Sequence, residues 1–291
     1  MVVDTTSGRQ YPVGVKRNFS FDAISNDGHQ LYLIETLAGG AYQVRLYQVF
    51  SNTLRVDPVL IKGPEVEAMN GYKVTAVADP DGHMLYSLYG RNDGRPPFVH
   101  ALDLVNAVAF CIDLPALTTK GGNHNLDGAT SGWALSLDAS RHRLYASSAL
   151  GQVAKIDTQN YVVVRSAGLT APAATSLLPS FLVDATAKEF EGAPAASAVD
   201  PSGRWLYVAW ESGYLAVDTG TLRPAALRDR DDHLSSLALS PDGRHLFAVS
   251  SSGSDRFSTL VIDLDPRTGT RQATIGGITA PWRILRLEAS V

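Results

Sequence analysis

One phrase, repeated five times, constrains this chain more than its composition does. It is a short apolar strand, a turn rich in Asp and Gly, and then Leu followed by an aromatic residue. The copies read AISNDGHQLYL from Ala23, AVADPDGHMLYS from Ala76, ALSLDASRHRLYA from Ala134, SAVDPSGRWLYV from Ser197 and LALSPDGRHLFAV from Leu237. The aromatics are Tyr32, Tyr86, Tyr145, Tyr207 and Phe247, at spacings of 54, 59, 62 and 40 residues. Repetition on this scale marks a solenoid, propeller or array. Each phrase is itself a β-hairpin, because alternating apolar residues build two strands and Asp-Gly or Ser-Gly supplies a turn where positive φ is cheap. Pro80, Pro201 and Pro241 stand just ahead of the turn, where a missing N–H costs little.

A second phrase follows each hairpin: two or three apolar residues, Asp, then a turn. It ends near Asp103, Asp157, Asp218 and Asp263, while the first copy carries Gln48 in the Asp position. A fourth short strand comes next, such as AFCIDL from Ala109 or YVVVRS from Tyr161. Four antiparallel strands in meander order, repeated along the chain, are the plan of an all-β β-propeller, in which radial repetition protects the sheet edges. MVVDTTSGR at the start repeats the third-strand phrase with Asp4 in place, YPVGV supplies a fourth strand, and TAPWRILRLEAS at the end reads as a first strand. The expectation is therefore one domain over 1–291. Complete blades fall at 18–62, 72–114, 131–167, 196–228 and 234–276, and a closing blade is shared between 1–17 and 278–291. That makes six blades. The shared blade lacks a second strand, so it is expected to be three-stranded or the chain to be trimmed there. A seventh blade would have to come from Leu169–Pro194, which is short for four strands.

Composition narrows the class. With 291 residues, 45% hydrophobic and 19% charged, the chain builds a large core. A formal net charge of −4 argues against nucleic-acid binding through a basic surface. No apolar run approaches the roughly 18 residues that span a bilayer, and no signal peptide opens the chain. The single cysteine, Cys111, excludes an intramolecular disulfide and a cysteine-rich zinc site, and its apolar strand makes it a packing residue. No Gly-x-Ser-x-Gly elbow, phosphate-binding glycine loop, HxH or HExxH pair occurs, so neither cofactor nor metal is expected.

The phrases SPDGRHLFAVSSS and VDPSGRWLYVAW, each followed by an apolar–Asp strand, resemble the YVTN-type and WD40-like bacterial β-propellers, as does IGGITAPWRIL at the start of a first strand. The resemblance covers nearly the whole chain. It implies the propeller fold and leans toward an extracytoplasmic (periplasmic or secreted) location. The group includes surface-layer repeat proteins, lactonase-like proteins and propeller subunits of quinoprotein amine dehydrogenases, so the fold leaves function open. The Asn-Arg step that often follows the Leu-Tyr-Val strand in lactonase-like proteins is absent from LYSLYGRND, LYASSALG and LYVAWESG.

Loop lengths indicate where function sits. The first-to-second-strand turns are short and alike, whereas second-to-third-strand connections vary. From repeat aromatic to third-strand Asp the distance is 17 residues in the second blade and 16 in the fifth, but 12 and 11 in the third and fourth. Long irregular loops gathered on one rim of a rigid scaffold are the expected functional surface. The rim candidates are Arg91, Asp93, His124, Asp127, Trp133, Glu211, Asp231, Asp232, His233 and Trp282. RDRDDH at Arg228–His233 is compatible with a hard-cation site, but mutual Asp–Arg pairing in a solvated loop fits it better. His124 offers a general base or simply a surface turn. Trp133 and Trp282 offer rings for stacking a planar ligand, or pack between blades. His29, His83, His142 and His245 fall beside the hairpin turns and read as structural.

The function expected from this pattern is recognition of an unknown small molecule or protein through the long-loop face and channel mouth. The alternative is a hydrolase or lyase (lactonase-like) at the channel mouth, using His124 or His233. A redox-partner propeller is a third option that requires a cofactor-bearing subunit.

Overall fold

The computed structural model describes residues 1–16, 18–62, 69–91, 95–115, 132–148, 151–170, 196–210, 213–229, 232–251 and 259–276. The protein is all-β, built of several four-stranded antiparallel sheets. Its strands belong to two compact units. One is Met1–Ala116 with Gln159–Val162, and the other is Leu117–Thr158 with Val163–Val291.

In the first unit, β1 (Val2–Val3) and β2 (Gln10–Tyr11) form a small hairpin. A meander of β3 (Phe19–Ile24), β4 (Gln30–Thr36), β5 (Ala41–Gln48) and β6 (Thr53–Pro58) follows. β7 (Leu60–Lys62) then leaves that sheet and β8 (Met69–Asn70) returns to pair with β5. The next meander is β9 (Tyr72–Ala78), β10 (Met84–Gly90), β11 (Phe98–Asp103) and β12 (Val108–Asp113), and β7 adds to its outer edge in parallel with β12. The second unit holds three meanders. They are β13 (Trp133–Asp138) to β16 (Val162–Gly168) by way of β14 (Arg143–Ser148) and β15 (Gln152–Asp157), then β17 (Ser197–Val199), β18 (Trp205–Ala209), β19 (Tyr214–Asp218) and β20 (Arg223–Arg228), and last β21 (His233–Leu239), β22 (Leu246–Ser251), β23 (Thr259–Leu264) and β24 (Arg271–Ile275).

In each unit one sheet is covered on both faces, β3–β6 in the first and β17–β20 in the second, which explains why their second and third strands read as nearly continuous apolar runs. Leu206, Val208, Leu215 and Val217 pack with Tyr145 and Val153 on one side. Their alternating neighbours Tyr207, Ala209, Tyr214 and Ala216 pack with Leu246, Ala248 and Ile262 on the other. Each buried Leu or Val of this kind contributes about 1.5–3 kcal/mol. In the first unit, Tyr32, Tyr42, Val44 and Leu46 meet Leu85, Tyr89, Phe98 and Leu102, while Leu31 and Leu33 pack with Val2, Tyr11 and Val13 of the terminal hairpin.

Two turn designs repeat. The first-to-second-strand turns hold Gly28, Gly82, Gly203 and Gly243 at φ of 68–72°, with His142 at φ 53° in the remaining copy. Neighbouring turns of a unit touch. Asn26 Nδ2 donates to the Asp81 carbonyl at 3.2 Å, and Arg141 donates to the Pro201 carbonyl at 3.3 Å. The third-to-fourth-strand turns place Gly8, Asn52, Ala107, Tyr161, Leu222 and Gly269 in the left-handed region, four residues after the turn's first residue. At several of them that first residue is an Asp whose Oδ1 accepts a backbone N–H, as in Thr6 to Asp4 (2.9 Å), Val105 to Asp103 (2.9 Å), Thr221 to Asp218 (2.8 Å) and Arg267 to Asp265 (2.7 Å). The last case corrects the sequence reading. Asp265, not Asp263, opens the turn. Asp263, two residues earlier on the same side of β23, instead meets His245 Nδ1 at 2.9 Å.

Candidate functional site

Every meander has a hairpin edge, which carries the two turn designs above, and an opposite edge, where the second strand leads to the third. The hairpin edge holds many of its polar side chains in local bonds. Its Asp and Ser side chains bond their own loops, as in Ser25–Asp27 (2.6 Å), Ser202–Asp200 (2.5 Å) and Ser240–Asp242 (2.5 Å). The hydroxyl of Ser240 holds the Asp242 carboxyl below its ordinary range, with the Arg244 backbone N–H assisting. Asp79, Asp81 and His83 bring three ligand atoms within 4.8 Å of one another on this edge. Asp79 Oδ1 also accepts the His83 and Met84 N–H groups, which ties that carboxylate into its own turn. His29, His83, His142 and His245 all lie on this edge.

The described rim candidates occupy the opposite edge or stand just before it. Arg91 directly follows β10. Its guanidinium lies 2.6 Å from Asp113 and 4.7 Å over the Phe98 ring. Trp133 opens β13 but is only 2% exposed, so its ring is part of the packing and does not face solvent. Asp232 is buried ahead of β21, where it accepts from Ser250 Oγ at 2.6 Å and pairs with Arg271. Burial by itself raises the Asp232 pKa, but the bonds from Ser250 and Arg271 outweigh it and hold the carboxyl ionised. His233 begins β21 with an exposed side chain. Asp93, His124, Asp127, Glu211, Asp231 and Trp282 lie outside the described residues. Of the candidates described, only Asp232 and His233 are adjacent, and that by sequence.

The first unit also contains a polar group that the sequence reading passed over. On one face of the β9–β12 sheet, Ser87, His100 and Cys111 are opposite one another, and Tyr89 with Phe98 forms the next row toward the edge that carries Arg91. Tyr42 from β5 stacks on Tyr89 at 5.0 Å, Tyr89 stacks on Phe98 at 5.4 Å, and the His100 ring meets Tyr89 edge-on at 6.1 Å. From β3, buried Asp22 accepts from Lys73 Nζ at 2.8 Å. The side-chain hydroxyls of Tyr42, Ser87 and Tyr89, both ring nitrogens of His100 and Asp22 Oδ2 are buried without a hydrogen-bond partner. Burial dominates their electrostatics. It pushes the Tyr42 and Tyr89 phenols up and the His100 imidazole down to about 4. The Asp22 charge adds to the rise of the phenols and opposes the fall of the imidazole. The signal was present in FVHALD, because His100 alternates with Phe98 and Leu102 and so occupies a core-facing position.

Compared with known proteins, the chain matches no family model and no curated protein. Among the described residues, no helix is long and apolar enough to cross a membrane.

Proposed function

We propose that the chain is a six-bladed β-propeller of the YVTN or WD40-like kind, and that it recognises a small molecule or protein through the edge opposite its hairpin turns. Six third-to-fourth-strand turns of one design support the blade count. The observation that carries the functional reading is the asymmetry of the sheets. The hairpin edge commits many of its polar groups to local turns and to neighbouring turns, so we assign recognition to the other edge, where the connections vary in length and Arg91 and His233 stand. The alternative, a hydrolase or lyase at the channel mouth, draws on exposed His233 beside ionised Asp232. It is the weaker reading because Asp232 is already held by Ser250 and Arg271.

A mixed library of fragments, oligosaccharides and peptides, screened by thermal shift and mapped by hydrogen exchange, tests this reading. Binders are expected to protect amides around Tyr89–Arg91 and His233–Leu234 and to leave 25–30, 79–84, 200–205 and 240–245 unchanged. Protection concentrated in those turns would overturn the assignment. Turnover of an ester or lactone panel, abolished by His233→Ala, would replace it with the enzyme reading.

A further inference from the structure

We propose that the buried polar group between the two meanders of the first unit is a binding site for a small, uncharged polyhydroxy compound, held by Asp22, Tyr42, Ser87, Tyr89 and His100. This rests on the recognition reading above and gives it a ligand class. Five side chains with unpartnered buried polar atoms in one core layer call for an explanation, because each such atom forfeits its hydration without compensation. Together they complement hydroxyl groups. Three hydroxyls and the imidazole each donate and accept, and Asp22 Oδ2 accepts. The guest is uncharged because the site's charges are already balanced: Asp22 is paired with Lys73, and burial keeps His100 neutral. It is held at ring edges and not by stacking, since the faces of the Tyr42–Tyr89–Phe98–Arg91 ladder are occupied by one another. Access comes from the Lys73 side, whose side chain is 30% exposed while that of Asp22 is fully buried.

The test uses the full chain with glycerol, erythritol and myo-inositol as probes, read by saturation-transfer NMR and by thermal shift. At least one probe is expected to bind and to raise the melting temperature. Ser87→Ala and Tyr89→Phe, each removing a single hydroxyl from a protein that still folds, are expected to weaken binding about fivefold apiece. If these hydroxyls instead sit in a dry, empty core, the same variants raise the melting temperature and no probe binds, which overturns the proposal. Binding that both variants leave unchanged also overturns it. Either failure leaves the recognition reading standing if other library members still protect the Arg91 and His233 edge, and both fall if nothing does.

Discussion

His100 is a fully buried imidazole with neither nitrogen bonded, so its titration is coupled to folding. Folded, its pKa is depressed to about 4 by burial, with Lys73 adding to the fall and Asp22 opposing it. Unfolded, it returns to about 6.5. The unfolded chain thus binds the additional proton between those values. The stabilisation is complete above pH 6.5 and is lost as the pH falls toward 4, at up to about 1.4 kcal/mol per pH unit. Urea unfolding across that range should show this slope in the wild type and lose it in His100→Leu. Identical slopes would mean that the imidazole is solvated. Glu35 and Arg45 pose the opposite problem. Their ion pair is 2.5 Å long with side-chain exposures of 3% and 12%, and Arg45 also donates to the Arg55 and Val56 carbonyls where β6 bulges from β5. Glu35→Ala strands a buried cation and is expected to cost about 3 kcal/mol. Glu35→Leu combined with Arg45→Met should recover most of that, as read from denaturation midpoints. The partners at neither site were legible in the sequence. Alternation shows that His100 faces a core, but whether a buried polar atom has a partner depends on the facing sheet.

At the scale of the element, the meanders were readable because each is specified locally. Alternation sets the strands, and the turns demand residues that the sequence displays at fixed spacing. The third-strand Asp recurs because its carboxylate replaces the acceptor that a tight turn lacks. At Asp218 the Thr221 backbone N–H is the main cause holding the pKa down, against burial. His142 is the exception that tests the first design. It adopts φ 53° where the other four copies have glycine, and its side chain is exposed. A left-handed L-residue costs about 1–2 kcal/mol, partly offset by the greater unfolded-state freedom of glycine. His142→Gly is therefore expected to stabilise by roughly 0.5–1 kcal/mol, a rise of about 1–4 °C in Tm. A lower Tm would show that the imidazole makes a contact worth more than the strain. The reverse substitution, Gly203→Ala, should destabilise by about 1 kcal/mol, because the new side chain would adopt a φ of 69° and its Cβ would displace the Asp138 and Arg141 side chains. β7 and β8 were not readable from sequence. Three-residue and two-residue strands have no period of their own; β7 pairs with the outer strand β12, and β8 pairs with the first residues of β5, which β6 does not reach.

At the scale of the molecule, the proposed six-bladed ring stands beside a chain that divides into two compact units. The two descriptions differ in cooperativity. In a closed propeller every blade is buried by two neighbours, so removing one exposes apolar faces on both sides and the ring unfolds as a whole. Units that are stable alone would unfold separately. The chain carries its own reporters for this distinction. All four tryptophans, Trp133, Trp205, Trp210 and Trp282, follow residue 116 and belong to the second unit. Tryptophan fluorescence therefore follows that unit alone, while far-UV circular dichroism follows the strands of both. A closed ring predicts coincident urea transitions by the two probes, with one midpoint and one slope. It also predicts that Glu35→Ala, a change confined to the first unit, shifts the fluorescence midpoint as much as the dichroism midpoint. If the fluorescence transition stays in place while dichroism splits into two steps, the units are independent and the six turns record repetition without closure.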